Sequence, residues 1–168
     1  MVVKMPAYNP MQTVLVTCRG NVKNKFRRGD SLKDNVITLD WHMPVSFEPF
    51  LYSICVGKTR FSCGVIQNSK VFVVNFVPYN LKEKVLFCGR NTGENMDKIK
   101  ESGLTKEESE KVDCFRVKEA VAWLECEVIN EIDAGDHIIF IGKVISSHEK
   151  DNAPRLFHVE GDEFTTTK

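Results

Sequence analysis

Residues 35–76 read NVITLDWHMPVSFEPFLYSICVGKTRFSCGVIQNSKVFVVNF, and the fold is decided within them. The run Val36-Ile37-Thr38-Leu39 has strand composition, and the chain is then expected to turn through Pro44 and Pro49. A second β-prone run, Leu51 to Val56, leads through Gly57-Lys58-Thr59-Arg60 into a short helix expected from Phe61 to Ile66. Val71 to Val77 returns as a third strand. A strand that passes through a cationic turn into a helix suits an anion, because the first amides of a helix are unpaired and partly positive. Lys58 and Arg60, with the hydroxyls of Thr59 and Ser62, have the chemistry to bond a phosphate. The same residues also read as a solvated turn carrying two surface cations.

Around this stretch the chain is ordinary in bulk. Its 168 residues are expected to form one domain, 1–168, with no repeat and no internal boundary. Lys plus Arg and Asp plus Glu are 23 each, so no charge excess points to nucleic acid or to an anionic membrane. Six cysteines are scattered without a CxxC pair, and His42, His148 and His158 lack metal-like spacing, so no metal site is expected. The first residues lack the apolar core of a secretory signal, and no apolar run nears the ~20 residues a membrane span needs. A cytoplasmic location with reduced thiols is the expectation.

Toward the N-terminus, Thr13 to Thr17 reads as a first strand after Pro10. Residues 19–34 read as a long basic loop carrying Lys23, Lys25, Arg27, Arg28 and Lys33 beside Arg19, either a solvated connection or a surface for an anionic partner or cofactor phosphate. Toward the C-terminus, Asn80 is expected to cap a helix over 81–87 that Gly89 ends, and Asn95 to open another that Gly103 stops. Thr105-x-x-Glu108 has the form of a capping box. Ala120 to Ile132 and His137 to Ser146 read as a hairpin about Ala134-Gly135-Asp136. Glu125 and Glu127 on the first of these strands predict a face that is partly wet or meets a partner. The second strand is apolar on both faces, as a strand covered by helices or by a second subunit would be. Residues 150–168 are expected to be a peripheral tail, with one short strand at Leu156–Val159 and a frayed polar end.

The ordered set Asn35-x-x-Thr38-x-x-Trp41, Pro44, Pro49, Arg60-Phe61-Ser62 and Val73-Val74-Asn75 resembles the flavin reductase-like proteins. These are FMN-binding split β-barrels that include flavoredoxins and the small reductases of two-component monooxygenases. The similarity resumes at Gly89-x-x-x-Gly93-x-x-x-Asp97-Lys98 and at Gly135-Asp136-His137, and covers roughly residues 9–148. It implies a mainly β fold, a Greek-key-like split barrel of about six or seven antiparallel strands with short flanking helices. It also implies a homodimer with two FMN sites near the subunit interface. The implied activity is NAD(P)H-dependent reduction of flavin or another acceptor through bound FMN, with a redox protein or monooxygenase as partner. A flavoredoxin-type electron carrier and a non-catalytic flavin-binding module are the alternatives.

Carried onto this chain, the resemblance places Asn35, Val36, Ile37, Thr38 and Trp41 along the isoalloxazine. Ser53, Cys55 and Val56 lie on the strand leading to the phosphate turn, Lys58, Arg60, Phe61 and Ser62 at that turn, and Asn75 on the strand beyond. Phe61 stands where relatives often carry a polar or basic residue. Lys98 would reach the flavin, where a cation favours negative charge on the ring, and His137 would meet NADH or NADPH. By residue type alone Trp41 reads as a core aromatic, Thr38 as an ordinary strand residue and His137 as a locally bonded strand start, while Lys98 reads equally as a solvated helix lysine.

Overall fold

The computed structural model describes residues 10–23 and 30–167. In chain order these form β1 (Met11–Gln12), β2 (Val14–Lys23), β3 (Asp30–Leu39), β4 (His42–Ser46), β5 (Leu51–Gly57), α1 (Phe61–Ser69) and β6 (Val71–Phe76). A 3-10 turn (Tyr79–Leu81), α2 (Lys82–Arg90), α3 (Lys98–Ser102), β7 (Lys106–Glu108) and β8 (Phe115–Val117) follow. The chain ends with β9 (Ala122–Ala134), β10 (His137–Glu149), β11 (Leu156–Glu160) and β12 (Glu163–Thr166).

Seven strands make one antiparallel sheet in the order β3-β2-β6-β9-β10-β5-β4, which curls until β3 touches β5. This is the mainly β split barrel expected from the sequence. Two smaller sheets, β1-β11-β12 and β7-β8, lie beside it.

The central strands are buried on both faces, which explains their near-continuous apolar runs. On β2, Leu15 enters one core with Val73, Val85, Phe115 and Trp123, beneath α2, α3 and β8. Its neighbours Val14 and Val16 enter the other with Ile54, Ile66, Phe72 and Phe140, against α1. Each such side chain contributes roughly 1.5–3 kcal/mol by leaving water. At Gly142 the strand backbone lies so close to its neighbours that a Cβ would come within 2.6 Å of Phe72 Cζ and 2.8 Å of Cys126 Cβ.

The helices on the first core lie over the β3-β2-β6-β9 side of the sheet. Across β10, β5 and β4 the outward face is apolar and uncovered within the chain. Register sets Ile141 beside Ser53 and Met43, and Ile139 beside Cys55 and Ile132. Met43 is 59% exposed, Ile132 43% and Ile145 38%.

Several local expectations are corrected. The supposed loop 19–34 is mostly two paired strands, β2 running to Lys23 and β3 starting at Asp30. Arg19 is no free cation: its guanidinium bonds Asp34 at 2.6 Å and Glu108 at 2.7 Å. Lys25, Arg27 and Arg28 lie outside the described residues. Pro44 sits inside edge strand β4, where a missing amide costs no ladder bond. Asn80 lies in the 3-10 turn, and α2 runs through Gly89 to Arg90. Asp97, not Asn95, caps α3 by accepting from the Ile99 and Lys100 amides at 3.1 Å, while Gly103 ends it at φ 66°. Thr105 opens no helix but leads into β7, its amide bonded to the Glu119 carboxylate. Glu125 is not wet: it is fully buried and accepts from the Glu110 and Lys111 amides at 2.9 and 2.7 Å. In the C-terminal tail the expected strand forms as β11, with Leu156 in the first core, but the polar end pairs with it as β12 instead of fraying.

Candidate functional site

Where β5 hands the chain to α1, Arg60 N bonds back to Gly57 O and Cys63 N to Arg60 O, each at 2.9 Å. Arg60 stands at the N-cap position and gives the helix no side-chain cap. The positive end of a nine-residue helix therefore opens into a chamber of about 210 Å³, lined there by Thr59, Arg60, Phe61 and Ser62.

The opposite wall comes from β3 and from the segment between α2 and α3. Asn35, 2% exposed, donates from Nδ2 to Ser62 Oγ at 2.7 Å, while its Oδ1 is buried without a partner. Gly93 lies against that oxygen, and a Cβ there would fall 1.9 Å from it. Lys98 is 4% exposed, and its ammonium donates to Cys88 O at 2.9 Å and Asn91 O at 3.2 Å. Two of its three N–H groups are thus used, and the side chain lines the chamber. Burial lowers the Lys98 pKa from its ordinary 10.5, and the nearby Arg60 charge adds to the effect. Two cations held close enough to disfavour one another make a site that an anion would relieve.

A second chamber of about 180 Å³ adjoins the first across Ile37, Arg60 and Gly89, which line both. Its walls include Thr38, Trp41, Cys55, Gly57 and His137. The Trp41 and His137 rings lie 4.9 Å apart, and His137 Nδ1 is 2.7 Å from Asp136 Oδ1. Thr38 Oγ1 donates to Val85 O at 2.7 Å, fixing α2 on β3. Trp41, 37% exposed, and Cys55 stand where this chamber meets the uncovered apolar face.

The two chambers together hold Asn35, Ile37, Thr38, Trp41, Cys55, Arg60, Phe61, Ser62, Lys98 and His137. Five other expected contacts lie elsewhere. Val36 and Val56 point into the cores on strands whose alternate residues face the cleft. Ser53 donates to Met43 O at 3.1 Å, and Lys58 pairs with Asp133 at 2.6 Å. Asn75 is buried, donates to Leu15 O at 3.1 Å and accepts from Val117 N at 2.8 Å, so it joins strands instead of facing a ligand. Sequence reasoning noted Gly89-x-x-x-Gly93 as a motif but placed none of residues 88–93 in the site, although two glycines four residues apart are a sign of a close backbone approach. A further hollow of about 320 Å³ beside Leu104 and Lys106 has its carboxylates engaged, Asp34 by Arg19 and Asp97 by the α3 amides.

Comparison with known proteins places the chain in a family. The flavin reductase like domain model matches residues 7–166. The chain belongs to the flavin reductase-like family. An uncharacterized protein of Archaeoglobus fulgidus is 36% identical over 67% of this chain, and the match spans 64% of that relative's length. An uncharacterized protein of Pyrococcus abyssi is 32% identical over 94% of this chain and 90% of its own. The fold is shared with the FMN-binding protein of Thermus thermophilus (TM-score 0.83, 20% identity, 99% of this chain and 91% of that one). It is shared too with flavoredoxin from Methanosarcina acetivorans (0.79, 24%, 100% and 92%). The flavin reductase HpaC, complexed with NADP+, is a third such flavin reductase-like structure (0.75, 21%, 94% and 90%).

Proposed function

We propose that the cleft binds FMN and that the protein is an oxidoreductase in which NADH or NADPH reduces flavin or another acceptor. One observation carries the reading: an uncapped helix terminus, the Ser62 hydroxyl, Arg60 and the buried ammonium of Lys98 converge on one chamber, beside a second walled by Trp41 and His137. The donor set of Arg60, Ser62, Lys98 and the first α1 amides fits a phosphate monoester dianion. When bound, FMN supplies the hydride and electron chemistry. The residues of this chain bind and orient it. Arg60 and Lys98 hold negative charge, Trp41 covers ring surface, and Asp136 fixes the His137 ring where a nicotinamide would approach.

In this reading the working unit is a homodimer. The outer chamber opens beside the uncovered face of β10, β5 and β4, so a second copy seated there would bury Met43, Ile132 and Ile145 and wall the chamber. All six cysteines are free, which suits the cytoplasm, and among the described residues no helix is long and apolar enough to cross a membrane. The acceptor is free flavin, a redox protein or a partner monooxygenase.

An anaerobic visible spectrum of the FMN-loaded protein, before and after NADH and then NADPH, tests the reading. Bleaching by either donor supports the reductase and identifies the donor. A flavin spectrum that resists both yet yields to dithionite makes the protein an electron carrier. No bound flavin after incubation with FMN overturns the proposal.

A further inference from the structure

The hairpin of β11 and β12 touches the rim of both chambers. Arg90, which ends α2 and lines the inner chamber, pairs with Asp162 in the hairpin turn. Asp40, on the outer chamber, bonds His158 Nδ1 at 2.7 Å through one oxygen and accepts from Thr13 Oγ1 at 2.6 Å through the other. His158 Nε2 lies 3.1 Å from Gly161 O, so one ring ties the turn to itself and the hairpin to the cleft.

This arrangement divides the inner chamber's cations. Among the described residues, Arg60 and Lys98 have no carboxylate partner, whereas Arg90 does. Two unpaired cations and a helix terminus match the charge of one phosphate. A second phosphate, continuing from the first within a chamber of about 210 Å³, would meet Arg90 already neutralised and the Asp162 carboxylate beside it. An adenosine carried on that phosphate would also have to leave past the turn.

We propose that the Arg90–Asp162 pair sets the cleft for a flavin mononucleotide and against a flavin dinucleotide. This rests on the reading that the inner chamber holds the flavin phosphate, and it names the residue that limits the ligand to one. Asp162 is a specificity residue acting through Arg90. Because both side chains are about 60% exposed, the effect is that of a rim charge and is salt-sensitive.

Calorimetric titration of FMN and FAD into the full chain tests it, using wild type, Asp162→Asn, and Asp162→Asn combined with Arg90→Ala. Wild type is expected to bind FMN more tightly than FAD. Asp162→Asn should raise the FAD-to-FMN affinity ratio about two- to fivefold at low salt, and the double variant should return it to the wild-type value. A ratio unmoved by Asp162→Asn, a gain that persists without Arg90, or a wild type indifferent between the two flavins overturns the proposal. Wild type that binds neither flavin overturns the underlying reading instead, so the two failures are distinguishable.

Discussion

The side-chain amide of Asn35 donates to Ser62 Oγ at 2.7 Å, fastening β3 to the first turn of α1 on the wall of the inner chamber. The other end of that amide faces the backbone at Gly93. Three segments far apart in sequence, around residues 35, 60 and 93, therefore meet at one side chain, and the shape of the chamber depends on their contact.

Gly93 is the most sensitive point of that contact. In Gly93→Ala the new methyl would overlap Asn35 Oδ1, which neither the strand nor the helix behind it can yield without moving. We expect a loss of about 1–3 kcal/mol, seen as a fall in melting temperature, together with weakened FMN binding. Gly142→Ala, which meets Phe72 and Cys126 far from the cleft, should lower the melting temperature alike but leave FMN affinity largely intact. Loss of binding in both variants alike would show that the Gly93 effect is only global.

The phosphate contacts are separable from the ring contacts. Charge-assisted hydrogen bonds contribute about 1.5–3 kcal/mol each, so Arg60→Ala and Ser62→Ala should each raise the FMN dissociation constant roughly ten- to a hundredfold. Riboflavin, which lacks the phosphate, should bind wild type and Ser62→Ala equally in a fluorescence-quenching titration. A parallel loss for both ligands would move the phosphate elsewhere.

Lys98 gives the fold a pH signature. Burial lowers its folded pKa below the ordinary 10.5, so at neutral pH the unfolded chain holds this proton more readily than the folded one. The resulting cost is fully present below the lowered value and is relieved as pH rises from there to 10.5. Ligand-free wild type should therefore gain stability across that window relative to Lys98→Met in chemical denaturation. FMN affinity should fall over the same range as the cation is lost. Parallel stability profiles in the two proteins would contradict a charged, desolvated Lys98.

Much of this was legible before any coordinates. The β-branched runs at 36–39, 51–56 and 71–77 marked three of the strands, the ordered motifs that resemble the flavin reductase-like proteins implied the barrel, and Gly57-Lys58-Thr59-Arg60 marked the turn into α1. What local pattern cannot state is which neighbour satisfies a group. Lys58 looked like a phosphate ligand, but Asp133, 75 positions away, takes it. Asn75 looked like part of a motif, but it accepts from Val117 N on β8 and donates to Leu15 O on β2, tying the small β7-β8 sheet to the main one. The 19–34 segment looked like a loop because its polar residues mask a hairpin whose outer positions are solvated. Of the C-terminal hairpin only β11 was legible, because β12 is short and polar and depends on pairing with β11.

His137 offers a test of donor chemistry. Its ring lies against Trp41 and is held by Asp136. His137→Ala should reduce kcat/KM for the nicotinamide donor by about tenfold, near 1.4 kcal/mol, with a much smaller change in FMN affinity. Steady-state reduction at varied donor concentration reads the first and titration the second. Equal rates would remove His137 from the donor site.

Association through the uncovered face predicts a mass. Sedimentation should give twice the chain mass for wild type and a single chain for Met43→Asp combined with Ile132→Asp, since both residues are exposed within one chain but would be buried in the pair. A double variant that remains a dimer would place the interface elsewhere.

The measurement closest to the central claim compares FMN with riboflavin on wild-type protein by calorimetry. If the uncapped α1 terminus, Ser62, Arg60 and Lys98 form a phosphate site, FMN should bind at least about tenfold more tightly than riboflavin. Equal affinity for the two would contradict the account, because the inner chamber would then hold no phosphate.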